Sequence, residues 1–504
     1  MDVIMSFLGG LALALSWQNL TYALVGCIIG MLVGVLPGIG PVAGIAILLP
    51  TTYGLDPTGA LVMLAAIYYG TMYGGTITSV LMNVPGESAS VITALEGHQM
   101  ARKGRAGAAL TIAAIASFVG GTFATLVMIF LAQPLTWLGL RFGPPEFTAL
   151  VLVGFTLLLS LAGNSLTKAA ISALIGLALT LPGLDPMSGA PRMTFGSVQM
   201  LDGFSLVPVL MGLFGISEIL LTLEQKSAPR GQTPRMREML PTREEWKRST
   251  PATTRGTLVG FLIGIVPGLG AATAAFVAYA LERRVSKFRE QFGNGAVEGV
   301  ASPEAANNSA ANAALLPLLT LGLPGSAAVA VLMGAFLING ITPGPFLFRD
   351  HAELVWTLLA SMVVGNFILV FLNVPLIGLW TRFLSIPYGI LFTLILLFAI
   401  VGAYSIANSM FDVGVMMACG ILGYFLRKLD FPIAPIALTL VLGPMFEMSL
   451  RQSLVLSNGD YMIFFRSGIS STFMVIAALV ILVAALGPVV GLFRKNPNAE
   501  ESEV

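Results

Sequence analysis

Apolar residues run through this chain in blocks too continuous for surface helices of a soluble domain. The blocks fall at 58–97, 106–132, 147–163, 167–182, 204–222, 309–340, 354–376, 387–403, 411–425, 433–446 and 471–493. A helix crosses the bilayer hydrocarbon with about 20 apolar residues, so these blocks predict spans, with 58–97 and 309–340 interrupted. Two further stretches, 20–50 and 256–281, carry Pro-Gly near the middle. They predict re-entrant helical hairpins that enter and leave on one face. Residues 3–18 predict a short span or an interfacial helix.

The polar segments between blocks sort by charge. Lys and Arg accumulate on the cytoplasmic side, and the longest polar stretch, 223–255, carries Lys226, Arg230, Arg235, Arg237, Arg243, Lys247, Arg248 and Arg255. Alternation from that loop also places Arg102, Lys103, Arg105, Lys168, Arg283, Arg284, Lys287, Arg289, Arg382, Arg427, Lys428, Arg494 and Lys495 inside. This gives 21 basic residues inside, against five outside: Arg141, Arg192, Arg349, Arg451 and Arg466. In the loop, Thr242-Arg-Glu-Glu245 fits a capping box and predicts a short interfacial helix before the second hairpin.

Composition agrees. The 504 residues are 56% hydrophobic and 10% charged, against about 25% charged in soluble domains. Too few polar groups exist to cover a soluble surface, so the chain reads as an all-α polytopic membrane protein in a bilayer. A net charge of +1 argues against a nucleic-acid partner. Cys27 and Cys419 sit in apolar stretches, and His98 and His351 lie far apart, so neither residue type offers metal-ligand spacing. The N-terminus lacks the basic region of a cleaved signal. No G-x-S-x-G, H-E-x-x-H or P-loop lysine occurs. The expectation is a protein that is no enzyme and carries no cofactor.

The chain also repeats itself. GCIIGMLVGVLPGIG (26–40) aligns without gaps to GTLVGFLIGIVPGLG (256–270), with seven of fifteen positions identical. NVPGESA (83–89) aligns to GLPGSAA (322–328). Matched loops carry opposite charge: TTYGLDPT (51–58) has no basic residue and ERRVSKFREQ (282–291) has four, while HQMARKGR (98–105) has three and ITPGPFLFRDHA (341–352) has one. Like sequence with opposite flanking charge predicts inverted-topology repeats, a plan common among secondary transporters. The organisation expected is a first repeat at 1–222, a cytoplasmic linker at 223–255, a second repeat plus final span at 256–493, and a polar cytoplasmic tail at 494–504.

Helix breaks at membrane depth free peptide groups that lipid cannot satisfy. A half-helix N-terminus then offers unpaired N–H donors and partial positive charge, which suit an anion. The candidate substrate site is therefore the set of breaks: Pro37, Gly38, Ile39 and Gly40 with Pro267, Gly268 and Gly270, and Asn83, Pro85, Gly86, Glu87 and Ser88 with Pro324, Gly325 and Ser326. Gly26, Gly30 and Gly34 form a ladder expected to serve helix packing. Glu87 either holds a coupling cation or proton or caps the next helix. Ser302 and Pro303 predict the start of a helix, with Asn307, Asn308 and Ser309 either lining the site or bonding neighbouring helices. Thr76, Thr78 and Ser79 form a similar patch, and Thr76, Glu87 and Asn308 are the candidates for a coupling Na⁺.

GVLPGIGPVAGIAILLP (34–50), the long motif at 68–110 that contains NVPGESASVITALEGHQM, and EGVASPEAANNSAANAALLPLLTLGLPGS (298–326) resemble the large membrane subunit of the tripartite tricarboxylate transporters, the TctA family. The resemblance runs from about residue 20 past residue 480. It implies a bacterial inner-membrane secondary transporter with a cytoplasmic C-terminus. It further implies two partners, a small TctB-like membrane subunit and a periplasmic TctC-like solute-binding protein. The cargo implied is a citrate-like di- or tricarboxylate, coupled to a Na⁺ or H⁺ gradient. The alternative is an autonomous ion-coupled organic-anion symporter that needs no partner subunit.

Overall fold

The structure, a computed structural model, describes residues 3–36, 39–161, 165–224, 240–383 and 388–493. Pro37, Gly38, Lys226, Arg230, Arg235, Arg237 and the tail from 494 lie outside the described residues. The described chain is helical apart from one two-residue hairpin, β1 (Gly183–Leu184) with β2 (Pro191–Arg192). The first half comprises α1 (Val3–Ala14), α2 (Trp17–Val35), α3 (Gly40–Leu48), α4 (Pro57–Met82), α5 (Val91–Arg102), α6 (Ala106–Gly139), α7 (Pro144–Leu161), α8 (Leu166–Thr180) and α9 (Leu206–Leu210). From α9 a π-helical turn at Met211–Ile216 leads into α10 (Ser217–Glu224). The second half comprises α11 (Arg243–Gly264), α12 (Gly270–Val285), α13 (Glu298–Ala313), α14 (Leu315–Leu321), α15 (Ala327–Ile338), α16 (Leu347–Asp350), α17 (Ala352–Asn373), α18 (Ile377–Phe383), α19 (Tyr388–Ala407), α20 (Met410–Lys428), α21 (Ala434–Leu456) and α22 (Gly468–Phe493). Six helices among the described residues are long and apolar enough to cross a membrane: α2, α4, α6, Leu206–Glu224, α17 and α20.

Glycine sets the core. Gly26, Gly30 and Gly34 of α2 sit against the carbonyl oxygens of Met63, Ile67 and Thr71 on α4, and a Cβ at Gly26 or Gly30 would lie 2.5 or 2.6 Å from its oxygen. Gly256, Gly260 and Gly264 of α11 sit in the same way on Ser302, Ala306 and Ala310 of α13. Both ladders run in chain order, so α2 is parallel to α4 and α11 to α13. Small residues allow this close approach of backbones. The helices so gripped are central, with residues 59–81 of α4 and every residue of α13 buried.

The matched sequences also share backbone conformation. Gly40 and Gly270 open α3 and α12 with φ of 62° and 67°. Asn83 and Gly322 end α4 and α14 in the left-handed region, with φ of 57° and 73°. Glu87 and Ser326 then cap the following helices at φ/ψ of −150°/167° and −156°/169°. Between these points each half turns back on itself. Gln18 at the start of α2 donates to Asp56 beside α4 at 3.0 Å. In the second half Arg255 of α11 pairs with Glu282 at the end of α12, at 2.6 Å. These contacts tie the start of α2 to the start of α4, and the middle of α11 to the end of α12. Across the halves, α6 packs on α13, α17 on α4, and α6 on α17.

Two local expectations change. Ser302 and Pro303 do not begin a helix: α13 starts at Glu298 and carries Pro303 inside it. Its start is fixed by the pair Arg248–Glu298 at 2.7 Å, and Gly256 packs on the Ser302 carbonyl, so tertiary contact outweighs the local cap signal. The capping box forms as read, with Glu245 N–H donating to Thr242 Oγ1 at 3.2 Å and Thr242 N–H to Glu245 at 2.6 Å. The helix it starts is not short; it runs through Pro251 to Gly264.

Ion pairs follow the charge sorting. Arg105–Glu245, Arg248–Glu298, Arg255–Glu282, Arg427–Glu218 and Lys428–Glu224 join residues from the set read as cytoplasmic or its flanks. Arg192 and Arg451 share Asp185 and Glu447 at the other end, and Arg451 holds the Asp185 carboxyl below the usual carboxylate range. Every ion pair among the described residues stays within one set.

Gly260→Val places branched carbon against the α13 backbone, which cannot retreat as a side chain does. It is expected to destabilise the fold by about 1–3 kcal/mol or more, seen as a lower unfolding temperature of the purified protein in detergent. Gly9→Ala, with nothing within 4 Å of the new carbon, should leave that temperature unchanged or raise it.

Candidate functional site

Four helix starts that follow the chain breaks, together with the start of α21, meet at one cavity of about 280 Å³, near the lower limit for small-molecule sites. Pro41 and Val42 come from the first turn of α3, and Gly270, Ala271 and Ala272 from the first turn of α12. Glu87 and Ser88 precede α5, while Ser326, Ala327 and Ala328 open α15. Tyr68 and Met72 of α4, Phe214 of the π-helical turn, and Ala434 and Leu438 of α21 complete the wall. Each half supplies the helix after its first break and the helix after its second.

The four starts fall into two kinds. α15 is capped by Ser326, whose Oγ accepts from the Val329 N–H at 3.3 Å. The turn Ser88–Ser90 ahead of α5 is capped by Glu87 in a reciprocal box with Ser90. α3 and α12 have no side-chain cap. The first N–H groups of a helix have no intrahelical acceptor, so these two starts, one per half, bring uncapped amides to the cavity, as does the start of α21 at Ala434. Among the described residues lining it, no side chain is basic. The one ionisable acid there, Glu87, is buried, and its Oε1 has no partner among the described residues. Gly75 makes room for it, because a Cβ there would lie 2.7 Å from the Glu87 Cγ. The two breaks of the second half touch directly, with Gly268 N–H donating to the Gly325 carbonyl at 3.0 Å.

Of the residues expected at the site, Glu87, Ser88, Gly268, Gly270 and Ser326 line the cavity. Gly86 is instead packed among Gly34, Gly75 and Thr78. Asn83 is a helix end in the left-handed region, and Pro85, Pro267, Pro324, Gly325, Ile39 and Gly40 belong to the turns behind the wall rather than to its surface. Pro37 and Gly38 lie outside the described residues. Asn307 and Asn308 are buried in α13, away from the cavity wall, where Asn308 Nδ2 donates to the Glu304 carbonyl at 3.1 Å and also to Asn307 Oδ1.

Thr76 and Asn308 point to a second polar centre that the sequence reading missed. Its core is the Glu304 carboxylate, which accepts from Thr93 at 2.6 Å, Thr76 at 2.9 Å and Ser117 at 3.2 Å. The signal was present: a glutamate in a small-residue stretch with no Lys or Arg near it is a functional candidate within a membrane. The apolar block that begins at 309 leaves Glu304 outside it, whereas α13 runs from Glu298. Among the described residues no group of three or more His, Cys, Asp or Glu side chains is placed to hold a metal ion.

The profile of the tripartite tricarboxylate transporter TctA family matches residues 20–438. The chain belongs to that family. An uncharacterized 52.8 kDa protein in the TAR-I ttuC' 3' region of Agrobacterium vitis is 43% identical over 486 residues, covering 96% of this chain and 97% of its own. An uncharacterized protein in the TAR-II ttuC' 3' region of the same organism is 44% identical over 227 residues, covering 45% of this chain and 94% of its own. No solved structure matches the chain. This TctA-family chain is accordingly a multi-pass membrane protein of a tricarboxylate transporter, and its matched segment takes in all four helix starts.

The convergence is testable without any ligand. The turn carrying Ser88 packs on α12, so the pair Ser88→Cys and Ala271→Cys is expected to crosslink with a short bifunctional reagent. The native Cys27 and Cys419 are both buried. Ser88→Cys alone should give no such intramolecular crosslink; electrophoretic mobility after crosslinking separates the two.

Proposed function

We propose that this protein is the large membrane subunit of a secondary transporter that imports di- or tricarboxylates, held in the cavity by peptide amides rather than by cationic side chains. The observation that carries the reading is the meeting of two uncapped helix starts, α3 and α12, in a cavity lined by no basic residue. One helix end contributes about 0.3–2 kcal/mol toward an anion, which is small against the cost of burying a carboxylate. Two starts with free amides and two more with hydroxyl or carboxyl caps bring several such contributions to one place. Glu87 fits an anion site only when its own charge is neutralised, so its free oxygen suits a coupling Na⁺ or H⁺ entering with the cargo.

The two halves are read as inverted repeats, with α2–α3 and α11–α12 as re-entrant hairpins and the breaks after α4 and α14 as interrupted helices. The opposite charge of matched loops and the matched dihedral angles support that reading. The location is the bacterial inner membrane, with the C-terminus cytoplasmic. Partners are a small membrane subunit and a periplasmic solute-binding protein that delivers the carboxylate. Family membership supports this over an autonomous symporter.

Two measurements test the proposal. Ala272→Asp brings a negative charge to the start of α12 and should weaken carboxylate binding to the purified protein more than tenfold, while Ala272→Asn, of similar size and neutral, should weaken it far less. Equal binding by both variants would remove the cavity as the site. Reconstitution of the chain alone should give no net uptake, and addition of the two partners should restore it; full uptake by the chain alone would favour the autonomous symporter.

A further inference from the structure

Glu304 stands apart from the cavity and from every ion pair among the described residues. It is fully buried in α13. Its Oε1 accepts from Thr93 Oγ1, and its Oε2 from Thr76 Oγ1 and Ser117 Oγ. Those hydroxyls come from α5, α4 and α6, so three helices of the first half close on one carboxylate of the second. Isolated burial of a charge is costly even with hydrogen bonds, and an ionisable residue at membrane depth normally marks a pathway or relay.

Asn307, three residues on in α13, also faces the carboxylate, and the ionisable groups on the neighbouring helices have partners of their own. Tyr73 on α4 donates to Asn366 Oδ1 at 3.3 Å. Glu87 caps the turn before α5. Glu96, one turn beyond Thr93 on α5, is taken by the Tyr279 hydroxyl of α12 and by the N–H groups of Gly293, Gly295 and Ala296. Arg248 and Arg255 of α11 hold Glu298 and Glu282, Arg283 and Arg284 lie in the last turn of α12, and α6 and α14 carry no ionisable residue. The hydroxyls touch the carboxylate oxygens at 2.6–3.2 Å. A hydroxyl can turn from donor to acceptor to receive a proton.

We propose that Glu304 is a proton-binding site whose state governs how the two halves of the protein hold each other. The inference rests on the transporter reading only for its use in coupling. With Glu304 charged, all three hydroxyls donate and α4, α5 and α6 are drawn onto α13. When a proton from water forms the O–H bond, that group becomes a donor, and one of the three bonds reverses or breaks. α5 starts at the cavity wall formed by Glu87 and Ser88, and α13 leads through α14 to the wall at Ser326. The protonation state of Glu304 is therefore felt on two of the four walls, one in each half.

Infrared difference spectra of the purified full-length chain test the site directly. A carbonyl band of a buried protonated carboxyl should grow as pH falls and be missing from E304Q. Ser117→Ala removes a donor to the charged form, so the midpoint of that band should move up by about one pH unit; this variant serves if E304Q does not fold. A band unchanged in E304Q, or a midpoint unmoved by Ser117→Ala, overturns the proposal. In vesicles holding the complete transporter, E304Q should keep carboxylate exchange and lose net uptake driven by a pH gradient at least tenfold. Uptake by E304Q driven by that gradient as in the native protein overturns the coupling role. A titrating Glu304 band in a native protein that exchanges no carboxylate keeps the proton site and sinks the carrier reading.

Discussion

A peptide amide released inside an apolar interior must meet an acceptor, and most of this structure follows from that demand. Ordinary helices meet it internally. This chain breaks its helices between α2 and α3 and at 83–90, 265–269 and 322–326. Two of the new helix starts are closed by their own caps, Glu87 and Ser326. The other two, at α3 and α12, are left without a cap in a shared cavity. Their amides are the feature that makes an anion a fitting occupant.

Glycine lets the breaks be brought together. The ladders of α2 and α11 set helix backbone on helix backbone, so that α4 and α13 become the two enclosed axes of the molecule. Gly86 is held between Gly34 and Gly75, and Gly268 N–H reaches the Gly325 carbonyl. With bulkier side chains the breaks would stand too far apart to share one cavity. The rigidity of this core also gives weight to the single carboxylate on α13, because three helices respond to its state together.

Much was legible beforehand. Each apolar block falls largely on helix among the described residues, the interrupted blocks 58–97 and 309–340 on more than one, since the length of an apolar run is a local property. The aligned stretches 26–40 and 256–270 turned out to share the positive φ of Gly40 and Gly270, because a position that glycine alone adopts without strain leaves a mark in sequence. Family membership rested on long motifs and was found again across residues 20–438. The start of α13 was misplaced because Ser302-Pro303 looks like a helix start locally, while the pair Arg248–Glu298 that extends the helix joins residues 50 apart.

The candidate site divides along the same line. The sequence by itself determined that the helices break at Pro-Gly, that the breaks recur in two halves, and that basic residues stay out of the spans. It is a record of local backbone preference and of burial. Only the tertiary structure decided which faces of the breaks meet, that Gly86 and Asn83 serve as packing and turn while Ala271 and Ala328 form wall, and that Glu304 is clasped by Thr76, Thr93 and Ser117. Contacts between residues some 190 to 230 positions apart leave no periodicity to read, because what selects them is the shape of the packed interior.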